Sequence, residues 1–366
     1  MVSVDYLVPG MILNQAVHSP DGKITLGQGT VLTKSWIDKL AAWGINKVTI
    51  GESPVSLIDE DELQNLLKSV LEDAAQQKSK AQVAQESFML IHEEAIVTLR
   101  RKFLWTRCSG KSAPLYEFYR LAEILYQHTA SPDTFLLLHN DERVENYLYQ
   151  HSVDVALLAG MLGRWLGFAE DQVKELVFAG LVHDIGKARI QYELLTKPAA
   201  LSSQEKKIIQ EHSRHSERLL QQAQCSEVII TAVGQHHERM NGEGYPLGLI
   251  GSAVHPYARI LAVADVYDAL TSDRCYKKGV TPLEAAEIML NEMEHQFDIQ
   301  VFHCLLEKIR NYLLGGKILL DNGIKGEIVF FPSLPAMRPV IKSAEGTVID
   351  LSADRNLRIM KLVVNR

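Results

Sequence analysis

Apolar and polar positions fall into distinct textures along the chain. Over residues 1–54, short β-prone runs alternate with the turn signals Pro9-Gly10, Asp21-Gly22 and Gly27-Gln28-Gly29, which predicts a small β-rich unit. One short helix is expected inside it over Lys34–Trp43, closed by Gly44 just past the helix end. Lys47-Val48-Thr49-Ile50 reads as a returning strand. From Ser56 to about Arg107 the composition shifts to Glu, Gln, Lys, Ala and Leu, with a polar middle over Ala74–Gln85. That pattern predicts a helical connector over residues 55–113, either a solvated spacer or a dimer or signal-relay helix. Residues 114–314 read as predominantly helical. Gly315-Gly316 marks a break, and the β-prone runs Ile318–Leu320, Gly326–Phe331, Pro339–Ile341 and Leu357–Val363 then predict a small C-terminal β unit over 315–366. The expected fold class is mainly α: a central helical bundle over 114–314, with small β units at both ends.

The bulk numbers narrow the classes. With 366 residues the chain is long enough for two or three domains. Neither its 46 % hydrophobic nor its 23 % charged content departs from a soluble protein. Met1-Val2-Ser3-Val4-Asp5 lacks the charged and apolar regions of a signal peptide. No apolar run reaches the ~20 residues that span a bilayer, so the expectation is a cytoplasmic protein with no membrane contact. Cys108, Cys225, Cys275 and Cys304 are scattered, which argues against a thiolate metal site or a disulfide framework. A net charge of −7 with no basic stripe argues against DNA or RNA as a partner. A small anionic substrate stays open, because bound cations reverse the local sign. Ser109-Gly110-Lys111-Ser112 lacks the spacing and the strand of a phosphate loop.

The candidate chemistry lies where apolar runs end. Leu176–Val182 runs directly into His183-Asp184, and Val228–Val233 is followed closely by His236-His237. Buried polar groups are costly unless paired or bound to metal. If helical, Leu176, Gly180, His183, Asp184 and Lys187 share one face, with Gly180 leaving room for a close neighbour. A long helix opening at Ser202, with a capping box to Glu205, carries His212 within an apolar stripe. His215 points away from that stripe and is the weaker candidate. His151 sits near the start of another apolar helix, and Asp265 interrupts Ile260–Val266. Any one of these is readily explained as a core residue satisfied by its neighbours. Five histidines and two aspartates on five helical segments are better explained by one shared site. Imidazole and carboxylate without sulfur suit Fe, Mn, Zn, Ni or Co. Gly242-Glu243-Gly244-Tyr245-Pro246 reads as a tight loop at the rim of such a site. His18, His92, His128, His139, His255, His295 and His303 show no convergent pattern and read as structural or surface residues.

Taken together, His183-Asp184-Ile185-Gly186-Lys187, His236-His237-Glu238-Arg239 and the Gly242–Pro246 loop resemble the HD-GYP family of cyclic di-GMP phosphodiesterases, a branch of the HD metal-dependent phosphohydrolases. His151-Ser152, His212, Asp265–Leu270 and Arg274–Lys278 extend the likeness over roughly residues 140 to 310. Leu7-Val8-Pro9-Gly10-Met11 loosely resembles a small domain found ahead of such units.

The resemblance implies an HD-type helical bundle around two metal ions, Fe or Mn first, with Zn, Ni or Co as alternatives. One ion would take His151, His183, Asp184 and Asp265. The other would take Asp184, His212, His236 and His237, with Asp184 bridging. Some members hold a third metal through a Glu four residues before the first His; here that position is Tyr147, so two are expected. Asn241 stands where many members carry Asp. The implied reaction is hydrolysis of cyclic di-GMP to pGpG or GMP by a metal-bridging hydroxide attacking phosphorus, with Lys187 serving the leaving oxygen. Tyr245 would contact guanine, and Arg274 and Lys277 would hold phosphates. The competing expectations are another cyclic dinucleotide as substrate, or a cyclic-dinucleotide-binding regulator with little turnover. Possible partners are a second copy paired through the connector and other signalling proteins.

Overall fold

The computed structural model describes residues 2–4, 7, 11–20, 25–30, 32, 34–50, 80–138, 147–197, 199–273, 278–332, 335–354 and 356–363. The turn signals Pro9-Gly10 and Asp21-Gly22, residues 55–79 of the expected connector, and the expected site residues Arg274 and Lys277 lie outside them. By its contacts the chain divides into two units, Met1–Ser87 with Val97–Ala113, and Phe88–Ile96 with Pro114–Arg366.

The first unit contains two antiparallel strand pairs. Strand β1 (Val2–Ser3) pairs with β4 (Lys47–Val48), and β2 (Val17–His18) with β3 (Thr25–Leu26). Helix α1 (Lys34–Ala42) lies between β3 and β4 in sequence. Gly44 leaves the helix at φ 71°, the left-handed conformation that glycine adopts without steric cost. Leu13, Leu32, Leu40 and Val48 form the dry centre, with Trp36 and Ile37 packed against it. Helix α2 (Lys80–Ser109) contributes residues to both units.

The second unit is built around α5 (Tyr147–Trp165). Every residue from Gln150 to Gly163 in this helix is buried, as expected of a helix covered on all sides. In chain order the helices around it are α3 (Leu115–His128), α4 (Pro132–Leu137), α6 (Glu170–Val182), α7 (Tyr192–Leu195), α8 (Ser203–Gln210), α9 (His212–Gln222), α10 (Glu227–Gly234), α11 (Pro256–Thr271), α12 (Pro282–Met293) and α13 (Ile299–Leu313). Helix α6 packs closely on α5 at Gly180. A Cβ there would meet the Ala156 Cα at 2.4 Å, so only glycine permits this approach.

Beyond α13 an antiparallel sheet runs in the order β8 (Val348–Asp350), β7 (Val340–Ser343), β6 (Lys325–Phe330), β5 (Lys317–Leu320), β9 (Ile359–Val363). Ile318, Leu320, Ile328 and Ile341 are buried in it. The molecule is mainly α. No helix among the described residues is long and apolar enough to cross a membrane.

Two expected helices are shorter than the apolar periodicity suggests. The helix running into His183 stops at Val182. Asp184 takes φ −98° and ψ 6°, and a 3₁₀ turn follows over Ile185–Arg189. The single helix expected from Ser202 is two helices, α8 and α9, interrupted at Glu211. Its capping box does form, with Glu205 N donating to Ser202 Oγ at 3.2 Å and Ser202 N donating to Glu205 Oε2 at 2.8 Å. The interruption has a local cause. His212 Nδ1 takes the Ile209 carbonyl at 2.6 Å, and the Ser213 hydroxyl takes that of Gln210 at 3.0 Å. Side chains thus compete with backbone amides for the same carbonyls.

Candidate metal centre

Three histidines sit just past helix ends, where the last carbonyls lack the regular amide partner four residues on. Each turns its Nδ1 back to the carbonyl three residues earlier: His183 to Gly180 at 2.7 Å, His212 to Ile209 at 2.6 Å, and His236 to Val233 at 2.6 Å. These bonds assign the proton to Nδ1 and leave the Nε2 lone pair facing inward. A carbonyl or carboxylate on the far nitrogen is the usual second layer around a metal-binding imidazole. His151 lies within α5 and uses a carboxylate instead, its Nδ1 standing 2.6 Å from Asp268 Oδ2 on α11.

The inward atoms converge. Donor atoms of Asp184, His212, His236 and His237 lie within 4.8 Å of one another, and so do those of His151, His183 and Asp265. Asp184 stands between the two groups. Its Oδ1 is 3.2 Å from His212 Nε2, and its Oδ2 is 3.3 Å from His183 Nε2 and 3.9 Å from His151 Nε2. Asp265 Oδ1 lies 3.1 Å from His151 Nε2, and its Oδ2 lies 3.5 Å from His237 Nδ1.

The donor set fits cations on two counts. His183 Nε2 and Asp184 Oδ1 are buried with no hydrogen-bond partner among protein atoms, an arrangement that is costly unless something else satisfies them. In addition, His212 Nε2 faces His236 Nε2 at 3.4 Å and His237 Nε2 at 3.2 Å. With the Nδ1 protons of His212 and His236 committed to carbonyls, lone pairs of these two rings point at each other.

The electrostatics agree. Burial, with His183 and His212 nearby, pushes the His236 imidazole down to about 3. His237 is held well below the usual imidazole range by burial and by His236. Burial would raise Asp184 and Asp265. Lys187 and His183 outweigh it at Asp184, and His151 and His237 at Asp265, so both carboxyls stay well below the usual range. Burial would lower His151, yet Asp265 and Asp268 drive it up to about 10. The protein therefore keeps its acids ionised and two imidazoles neutral. A cation at His151 must displace a proton.

The other expected site residues fall around this cluster. Lys187, on the 3₁₀ turn, is ion-paired to Asp184 Oδ2. The Tyr245 ring packs on His237 with centroids 4.6 Å apart. Burial, then Asp265 and Asp184, raise its phenol above the usual range, so it remains a neutral donor. His215 lies away from the cluster, beside a surface depression shared with Arg189 and Arg218. Tyr147 stacks on His151 with centroids 5.6 Å apart. Asn241 closes a local turn, accepting from Glu243 N at 3.1 Å.

Three supporting residues were given no role by the sequence reading, although Asp268 and Glu238 lie within its matching stretches. Asp268, which orients His151, is three residues after Asp265, and that spacing on a helix could have flagged it. Glu238, 1 % exposed, accepts from Leu247 N at 2.6 Å and Leu249 N at 2.9 Å, anchoring the loop that bears Tyr245. Ser216 accepts from Gly186 N and donates to the His183 carbonyl, both at 2.8 Å, tying the 3₁₀ turn to α9. No local pattern marks Ser216.

A helical bundle that turns imidazoles and carboxylates into one buried pocket is a scaffold able to hold metal ions. Residues 125–301 match the family model described as HD domain. Over 212 residues the chain is 36 % identical to a cyclic di-GMP phosphodiesterase of Pseudomonas aeruginosa, covering 58 % of this chain and 51 % of that protein. Over 167 residues it is 40 % identical to 3'3'-cGAMP-specific phosphodiesterase 1 of Vibrio cholerae, covering 45 % of this chain and 39 % of that protein. The chain thus spans about half or less of the length of these two relatives. A solved structure of Bdellovibrio bacteriovorus, described as an HDG"Y"P protein, superimposes with a TM-score of 0.54 at 18 % identity. It covers 84 % of this chain and 98 % of that one, a likeness of fold.

Proposed function

We propose that the protein is a metal-dependent phosphodiesterase that hydrolyses cyclic di-GMP to pGpG or GMP. The observation that carries this reading is the convergence of seven donors, six of them buried and His237 half-buried, into two groups, with lone pairs facing one another and two polar atoms left unsatisfied by protein. His151, His183, Asp184 and Asp265 would hold one ion, and Asp184, His212, His236 and His237 the other. Two such ions, Fe or Mn for preference, would supply an activated water and would offset the charge that develops on a phosphate.

The remaining chemistry belongs to the chain. Lys187 Nζ carries a proton for the leaving ribose oxygen, and its ion pair with Asp184 holds it at the edge of the site. The Tyr245 hydroxyl donates to the nucleotide from the side of His237. Arg274 and Lys277 hold phosphates, on the strength of their place in the sequence pattern. The buried walls keep bulk water from screening these charges.

The 40 % identity to a 3'3'-cGAMP-specific enzyme supports a second reading, that of a phosphodiesterase for the mixed cyclic dinucleotide. The test is elemental analysis of anaerobically purified protein, followed by chromatography of products from cyclic di-GMP and from 3'3'-cGAMP. The expected result is two metals per chain and loss of cyclic di-GMP. Faster turnover of cGAMP would move the substrate, and a metal-loaded protein that binds without cleaving would make it a regulator.

A further inference from the structure

His92 belongs to neither group of donors, yet it is only 2 % exposed, and its Nε2 lies 2.5 Å from Asp154 Oδ1. Asp154 is 1 % exposed and follows His151 by three residues on α5, about one helical turn away. On the facing helix α11, Asp268 follows Asp265 by the same three residues and takes His151 Nδ1. From the pocket outward there is thus one group of Asp265, His151 and Asp268, and beyond it a second acid–imidazole pair, Asp154 and His92. Burial raises the Asp154 carboxyl to about 6 against the pull of His92, which lowers it, and the charges of Asp268 and His151 bear on it as well.

We propose that the His92–Asp154 pair is a positioning element for the His151 half of the metal centre. The inference rests on the two-metal reading given above. Removing one partner of a buried ion pair leaves an uncompensated charge in a low-dielectric interior. Without His92, the Asp154 carboxylate draws on the next imidazole inward, His151, and repels Asp268, which orients that ring. The donors His212, His236 and His237 hang from α9 and from the end of α10, and each of His212 and His236 is set by its own helix-end carbonyl. Loss of His92 should therefore reach one ion and spare the other. The helix that carries His92 also contributes residues 80–87 and 97–109 to the first unit, so the pair is covalently continuous with that unit.

Titration of the metal-free full chain with Mn²⁺, followed by calorimetry, tests the proposal on four proteins: wild type, His92→Ala, His92→Gln, and His92→Ala combined with Asp154→Asn. Wild type should bind two ions. His92→Ala should keep one site unchanged and weaken the other about tenfold or more, the usual scale for losing a group behind a ligand. His92→Gln retains a donor for Asp154, and the double variant retains no charge that needs one, so both should recover the weakened site. A merely structural role would lower the melting temperature and weaken both sites in step. The proposal is overturned by that result, by wild-type affinity at both sites in His92→Ala, or by failure of the double variant to recover. Wild type that binds no Mn²⁺ overturns the metal-centre reading as well. Two ions in wild type and in an unaffected His92→Ala overturn this inference alone.

Discussion

Gly186→Ala is the sharpest test of how the centre is assembled. Gly186 lies in the 3₁₀ turn between Asp184 and Lys187, and its φ is not positive, so alanine suits the backbone. Conformational propensity alone would make the change stabilising by about 0.4–1 kcal/mol. The packing predicts the opposite. An added Cβ would lie 2.0 Å from the His212 carbonyl oxygen, 2.4 Å from Ser216 N and 2.8 Å from Ser216 Oγ. Reaching ordinary contact at 3.4 Å requires the turn and α9 to part by about 1.4 Å (3.4 minus 2.0). Overpacking of this kind costs about 1–3 kcal/mol. The two Ser216 hydrogen bonds to Gly186 N and the His183 carbonyl would break, at about 1 kcal/mol each. The sum is roughly 3–5 kcal/mol, or about 6–20 °C in melting temperature for a unit of this size. The same separation pulls Asp184 Oδ1 away from His212 Nε2, so metal should be lost together with stability. Calorimetric unfolding and elemental analysis of the same sample read both. A variant as stable as wild type, with its metal intact, would refute the packing argument.

Asp184→Ala should reduce the metal content from two to none, because this carboxylate stands between both groups; elemental analysis that finds both ions would remove it as the bridge. Lys187→Ala should slow the chemical step by about a hundredfold or more, the usual worth of a positioned proton donor, with both metals retained; an unchanged single-turnover rate excludes it. For the metal-free protein the acid limb of stability is expected to be steep. His236 and His237 have folded values below 6.5, so the unfolded chain binds protons there that the folded chain refuses, and stability falls as pH drops from about 6.5 toward 3. By pH 5 His236, with a folded value of about 3, costs about 2 kcal/mol, and His237 adds a loss of the same sign. His151, whose folded value is about 10, is protonated in the folded state across that range and returns less than either loses. Melting temperatures that stay level between pH 7 and pH 5 would contradict neutral burial of His236 and His237.

How much of this was legible depends on how far apart the interacting residues lie in sequence. The apolar runs before His183 and His236, the interruption of Ile260–Val266 by Asp265, and the capping box at Ser202 are local signals, and each falls on a helix or at its end. The break at Glu211 was hidden because Ile208, Ile209, Leu219 and Leu220 continue the helical periodicity across it. The competition between side chains and amides for the Ile209 and Gln210 carbonyls leaves no trace in that pattern. Strand β8 is three residues long and half of a polar hairpin, too short for an alternation to register. The link from His151 to Asp268 spans 117 positions and that from His92 to Asp154 spans 62. Such pairings arise from the packing of α2, α5 and α11, which periodicity does not encode.

The two halves of the centre are consequently built in different ways. His183, His212 and His236 need only a helix end, because a carbonyl freed by the last turn sets both the tautomer and the direction of Nε2. That device is complete within four residues and requires no distant partner. His151 lies one turn inside the start of α5 rather than at a helix end, and its orientation is set by Asp268 on another helix. Asp268 in turn is steadied by the Ser272 hydroxyl, 3.1 Å from both of its oxygens. The charges of Asp154 and Asp268 bear on each other, so His92 acts on the same ring by balancing Asp154. An imidazole set by its own helix end keeps its tautomer and its direction relative to that helix, whereas one set across an interface takes both from its partner element. The His151 ring is thus the one ligand of these four whose own orientation depends on packing between helices, while His183, His212 and His236 are each oriented within a single helix end.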